Sequence, residues 1–248
     1  MSDEDKVPVA LTQEHRDALR AKLLTGRFYS PWVHLGITSL VGLGAMVAAA
    51  TQLHEVKWWQ VAFGVGLWVL ANATEWRIHK TLLHHRTPGF TLLYDRHTPQ
   101  HHVIYLTDDM AIRSWREFKL VLLPSYAIVA IFAGLSPVIA MIWLGWPFHL
   151  AADVDQHNLA AVFTLVTMGF VVSYEWLHLS YHLPADHFVS KLSLIKVLSR
   201  CHAIHHHPVR MNKWNFNVTV PLWDVVKGTY LRDENDPKAA RPPVRETA

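Results

Sequence analysis

Cysteine is nearly absent: Cys201 stands alone among 248 residues. That excludes an internal disulfide framework and leaves the redox compartment open. Charge is scarce too, at 17% Asp, Glu, Lys and Arg against 51% hydrophobic residues, with a formal net charge of only +3. This balance points away from an ordinary soluble domain. Without a focused basic patch it also excludes a nucleic-acid footprint. A cleavable signal peptide is missing, because Met1 to Arg27 is polar and mixed in charge. No solenoid-type repeat is present, and the one internal echo is Glu75-Trp76 ahead of His79 and Glu175-Trp176 ahead of His178. The chain carries no flavin, haem or ferredoxin motif. It also lacks the H-E-x-x-H helix of zinc hydrolases, since His54-Glu55-Val56-Lys57-Trp58 has no second histidine.

What the chain has in quantity is apolar runs and histidine. Trp32 to Ala50 and Trp58 to Ala73 are separated by a short polar turn and read as a hairpin of membrane crossings, each near the ~20 residues a bilayer requires. Leu120 to Leu150 is apolar but broken by Pro124, Gly134, Pro137 and Pro147, and Leu159 to Leu177 is the last candidate span. Arg16, Arg20, Lys22 and Arg27 precede the first run, and Arg77, Lys80, Arg86 and Arg96 follow the second, so both flanks are expected on the cytoplasmic side. The segment Asp153 to Asn158 holds no Lys or Arg and is assigned to the far side. The 120–150 region must then cross an odd number of times, and one tilted crossing is expected. The predicted fold is all-α: an integral-membrane bundle of about four transmembrane helices with a cytoplasmic, histidine-rich cap. Residues 1–30 form a cytoplasmic or interfacial lead-in, with Leu19 to Leu24 read as an amphipathic helix on the membrane surface or as a plain solvated lead-in helix. Residues 31–231 form the membrane-embedded domain, and 232–248 a disordered tail.

Twelve of the 18 histidines fall in four short clusters. They are His79, His84 and His85; His97, His101 and His102; His178 and His182; and His202, His205, His206 and His207. On a helix, residues three or four apart share a face. His178 with His182, His97 with His101, and His202 with His205 and His206 are therefore each expected to aim at one point. His79 and His84 are five apart and diverge on a regular helix, so they serve different metals or the helix loosens between them. Pro99 places the second cluster on a turn. The first and third clusters begin where a span ends, so all four are expected at one membrane face. Ten or so imidazoles exceed what one ion holds, which implies two ions, and imidazole suits Fe, Zn, Cu and Ni. His15, His34, His54, His149, His157 and His187 read as ordinary polar residues. His85 and His207 are expected beside the ligands or facing solvent.

With those residues in place, the stretch from about Trp58 to Leu231 resembles the fatty acid hydroxylase superfamily of integral-membrane di-iron oxygenases, which includes sterol desaturases and lipid hydroxylases. The resemblance rests on the order of the four clusters. It rests also on Asn215-Phe-Asn-Val-Thr-Val-Pro-Leu-Trp-Asp224-Val-Val-Lys-Gly228-Thr229, similar to the Val-Thr, Trp-Asp and Gly-Thr pattern that follows the last cluster in members. Asn217 and Lys227 stand where glycine and an aromatic are more usual, and the second cluster has three residues rather than two before its His pair. These departures set the chain apart from any one subfamily.

The resemblance implies a non-haem di-iron centre using O2 to hydroxylate a lipid C–H bond, or alternatively to desaturate it. The implied ligands are His79, His84, His97, His101, His102, His178, His182, His202, His205 and His206. Glu75 and Glu175, one turn before His79 and His178, are placed to orient imidazoles or to form helix-end ion pairs with Arg77 or Lys80. Asn215 and Asp224 are further candidates for supporting the ligands. The implied partners are a lipid substrate entering from the membrane and an external electron donor of reductase, ferredoxin or cytochrome type. Zinc binds imidazole sites more tightly than ferrous iron, so a purified sample is open to zinc substitution. A metal transporter or metal-binding protein is the alternative from a different class.

Overall fold

The computed structural model describes residues 12–26, 28–124, 131, 134–135, 138–142, 153–233 and 235–236. The expected crossing within 120–150 and the tail from Arg232 lie largely outside the described residues, as does His149. What is described is helical, and apart from an isolated bridge between Leu106 and Asp109 it contains no strand. The helices that matter here are α1 (Gln13–Leu23), α2 (Pro31–Ala50), α3 (Trp58–Ile78), α4 (Thr91–Arg96), α5 (Asp153–Tyr181), α6 (Ser193–His205) and α7 (Leu222–Lys227).

Their ends follow local chemistry. The Thr12 hydroxyl accepts the His15 amide and caps α1. Ser30 does the same for Val33 at the start of α2, where Pro31 supplies a pre-set φ and lacks the amide that would go unpaired. Gly228 closes α7 at φ 69°, a left-handed conformation that glycine adopts without a Cβ penalty.

The chain divides into two compact units, residues 30–73 with 122–176, and residues 1–29 with 74–121 and 177–248. In the first, α2 and α3 approach α5 at glycines. A Cβ on Gly42 would come within 2.4 Å of Val172 Cγ2, and one on Gly64 within 2.9 Å of Val162 Cγ1. Small residues at such crossings let apolar helices pack closely. Ile142, Leu159 and Ala160 form a core there with Trp59 and Phe63. Among the described residues two helices are long and apolar enough to cross a membrane, Pro31–Ala50 and Val154–Tyr181. The expected span at Trp58 to Ala73 does form a helix, within Trp58–Ile78, but it is not one of those two.

The second unit is built around the fully buried Ile104, Tyr105, Phe118, Phe216 and Leu231. Here α1 contributes two charged side chains to the interior. Arg16 and Arg20 are buried: Arg16 donates to the Ile104 carbonyl and pairs with Asp109 at 2.7 Å. Arg20 pairs with Glu117 at 3.2 Å. A buried guanidinium needs carboxylate partners, and Asp109 and Glu117, distant in sequence, supply them. Arg16 and Arg20 of α1 therefore turn inward, while Lys22 stays exposed.

Candidate metal centre

The ten histidines expected as ligands are the ten that the fold brings together. They form two groups, His79, His84, His97, His102 and His205, and His101, His178, His182, His202 and His206. Within each group the ligand nitrogens all lie within 4.8 Å of one another, and every ring is buried. His85 is exposed and His207 half-buried, its Nδ1 accepting the Val209 amide; neither joins a group.

Helix geometry sorts the ligands. His178 and His182 share a group, as do His202 and His206, each pair one α-turn apart on α5 to its end and on α6 to its end. His79 and His84 also share a group, because the backbone over His79–Leu83 is a π-turn and residues five apart then face the same way. The Thr81 hydroxyl donates to the Arg77 carbonyl at 2.6 Å, a contact that competes with the α-helical ladder. A second π-turn spans His97–His101 around Pro99, which has no amide to donate. It joins His97 to His102 and sends His101 to the other group. His97 and His101 therefore do not meet at one point, and His205 parts from His202 and His206. Each of the second and fourth clusters thus serves both groups.

The Nε2 atoms converge as ligands do. Separations are 2.9 Å for His79–His97, 3.0 Å for His97–His102 and 3.1 Å for His84–His205. In the other group they are 3.0 Å for His202–His206, 3.2 Å for His101–His178 and 3.3 Å for His182–His202. Nitrogens bound about 2.1 Å from one ion lie about 3.0 Å apart when at right angles and about 4.2 Å when opposite.

The other ring nitrogens decide what these contacts are. The Nδ1 atoms of His79, His101, His182, His205 and His206 meet the carbonyls of Phe216, Leu120, Met110, Trp214 and Tyr105. A carbonyl only accepts, so each Nδ1 carries the proton and each Nε2 presents a bare lone pair. His202 faces two such lone pairs, those of His182 and His206, and one N–H cannot serve both. A cation serves all of them. Burial also pushes the imidazoles well below their usual range, His182 and His205 to about 4, which keeps them in the neutral, ligating form. The residues fit two ions with five imidazoles each, and no Asp, Glu or Cys belongs to either group among the described residues.

The supporting acids act through backbone. Glu75 accepts from the amides of Val218 and Thr219, the Thr219 hydroxyl and Asn217 Nδ2. Asp224 accepts from the amides of Phe216 and Asn217 and from the Thr229 hydroxyl, which in turn accepts from Trp76. Together they fix the loop whose Phe216 carbonyl holds His79. Asn215, at φ 56°, bonds the backbone of Cys201 and Leu231, pinning the segment between His205's acceptor Trp214 and Phe216. Glu175 accepts from the Leu123 amide at 3.0 Å and joins neither histidine group. The five carbonyl acceptors left no mark in the sequence, because any residue type carries one. Of the isolated histidines, His34 bonds the Leu123 carbonyl and His187 the Val189 amide.

The fold and site define an all-helical protein with paired five-histidine clusters. No family model, curated protein or solved structure matches the chain.

Proposed function

We propose that the protein is an integral-membrane hydroxylase that uses two iron ions and O2 to oxidise a C–H bond of a lipid, with the metal centre at the cytoplasmic face. The observation that carries the reading is the pair of buried, all-imidazole pentads. Among the described residues neither pentad includes the carboxylate base of the H-E-x-x-H type of zinc hydrolase. Five buried ligands per ion, five of the ten rings locked to backbone carbonyls, suit a resident ion better than one in transit. Iron held there would supply the redox chemistry that an unactivated C–H bond demands and that acid–base side chains lack.

The chain's own part is to bind, orient and keep dry. The Phe216, Leu120, Met110, Trp214 and Tyr105 carbonyls fix ring orientation. Phe216 lines the first pentad edge-on to His79, His84 and His205. The apolar helix α5 delivers His178 on its last turn, so a bilayer-dissolved acyl chain is the substrate class best matched to the site. Electrons come from a separate donor protein.

The test is turnover of membrane-reconstituted, iron-loaded protein with a reductase system and a lipid extract under oxygen-18. Incorporation of label into a lipid product supports hydroxylation. An unlabelled alkene would make the protein a desaturase, and iron-replete protein with no lipid product would overturn the reading.

A further inference from the structure

Between the third and fourth histidine clusters the chain turns large apolar side chains outward. Phe188 is 73% exposed and Leu194 65%, and Leu192 and Val197 are more than half exposed. On α6 the opposite face is occupied, with Ile195, Leu198, His202 and His205 buried, so Leu194 and Val197 have no core to enter. The same surface continues beyond this segment. His187 lies 4.8 Å from the Phe188 ring and 6.5 Å from that of the half-exposed Trp115. The next residue, Arg116, donates to the carbonyls of Leu24 and Gly26, just ahead of the almost fully exposed Phe28.

Two features say what covers this rim. Lys191, Lys196 and Arg200 are exposed among its apolar groups, with Asp186 the one acid on the 186–200 stretch. Long basic side chains beside outward aromatic and aliphatic groups are the composition of a surface lying in lipid headgroups, where stems bury and charges reach phosphate. Further, both helices able to cross a membrane lead into it along the chain: Phe28 precedes Pro31 by three residues, and Phe188 follows Tyr181 by seven. Exposed Phe side chains beside such junctions suit the apolar side of a surface lying in the interface.

We propose that this rim, centred on Phe188, Leu192, Leu194 and Val197, is an interfacial anchor that docks on the anionic headgroup layer of the bilayer. The inference rests on the membrane reading above. Because α6 ends in His202 and His205, the anchor also sets the depth at which both pentads sit.

Full-length protein in nanodiscs of phosphatidylcholine with phosphatidylserine tests this, using nitroxide-labelled Leu194→Cys and Val197→Cys; the native Cys201 is buried and out of reach of label. Lys213→Cys, exposed and outside the 186–200 stretch, gives the aqueous reference, and Leu40→Cys, at a 76% exposed position on α2, the lipid reference. Unchanged metal content certifies each variant's fold. The expected result is a ratio of oxygen to nickel-chelate accessibility at 194 and 197 several-fold above that at 213, falling when Lys196→Glu and Arg200→Glu are combined. Water-like values at 194 and 197 with a lipid-like value at 40 would overturn the anchor and leave the membrane reading standing. Water-like values at all positions would overturn both. Labels at 194 and 197 shielded from both reagents would mean a protein partner or second copy covers the rim, which also overturns the proposal.

Discussion

His102 and His206 stack with ring centroids 4.2 Å apart and planes 23° from parallel, yet they belong to different pentads. Their Nε2 atoms turn to opposite sides, His102 to His97 and His206 to His202. His97 and His101 form a second stack across the same divide at 5.4 Å. The two sites thus share a wall of imidazole with no carboxylate in either pentad.

That partition makes metal loss selective. His205→Ala should remove the ion of the first pentad and His178→Ala that of the second, each leaving about one ion per chain and abolishing turnover. His187→Ala should retain both. Elemental analysis of purified variants checks this; loss of both ions from either single variant would mean that the two sites bind as one.

Glu75→Gln keeps the size of the side chain but replaces one acceptor oxygen with an amide that faces donors, either the Val218 and Thr219 amides at Oε1 or Asn217 Nδ2 and the Thr219 hydroxyl at Oε2. Losing charge-assisted bonds worth about 1.5–3 kcal/mol each loosens the loop behind His79. The expected result is metal affinity at the first pentad lower by roughly 10–100-fold, measured by chelator competition, with the second pentad little changed.

Arg20→Met strands Glu117, which is 1% exposed and also accepts from the Tyr105 hydroxyl. Removing one partner of a buried pair costs about 3–5 kcal/mol, whereas replacing both by apolar groups is often close to neutral. Thermal unfolding in detergent should show a large drop for Arg20→Met and substantial recovery in Arg20→Met combined with Glu117→Leu.

Gly42→Ala places a methyl 2.4 Å from Val172 Cγ2. Overpacking of this kind costs about 1–3 kcal/mol, so the variant should unfold at lower temperature, and Val172→Ala should restore it.

Acid should destabilise the metal-stripped protein. His182 and His205 titrate near 4 when folded and near 6.5 when unfolded, so the unfolded chain binds more protons between those values. Stability is full above about pH 6.5 and falls as pH drops toward 4, by up to ~3 kcal/mol per ring. Denaturant midpoints across that window give the measurement.

The helical class and the ten histidines that come together were legible in the sequence because apolar runs and imidazoles are properties of single residues. For His79 and His84 the interval of five left two readings open, separate ions or a loosened helix, and the π-turn over His79–Leu83 puts both in one group. The burial of Arg16 and Arg20 was not legible, because they look like surface charges until Asp109 and Glu117 arrive from more than ninety positions away.

Which ten histidines could hold metal was therefore written in the chain by residue type and spacing. How they divide into two pentads was decided only in three dimensions. The division depends on two π-turns and on carbonyls of Tyr105, Met110, Leu120, Trp214 and Phe216. Backbone groups carry no side-chain signature, and a ring is aimed by whatever packing places behind its second nitrogen.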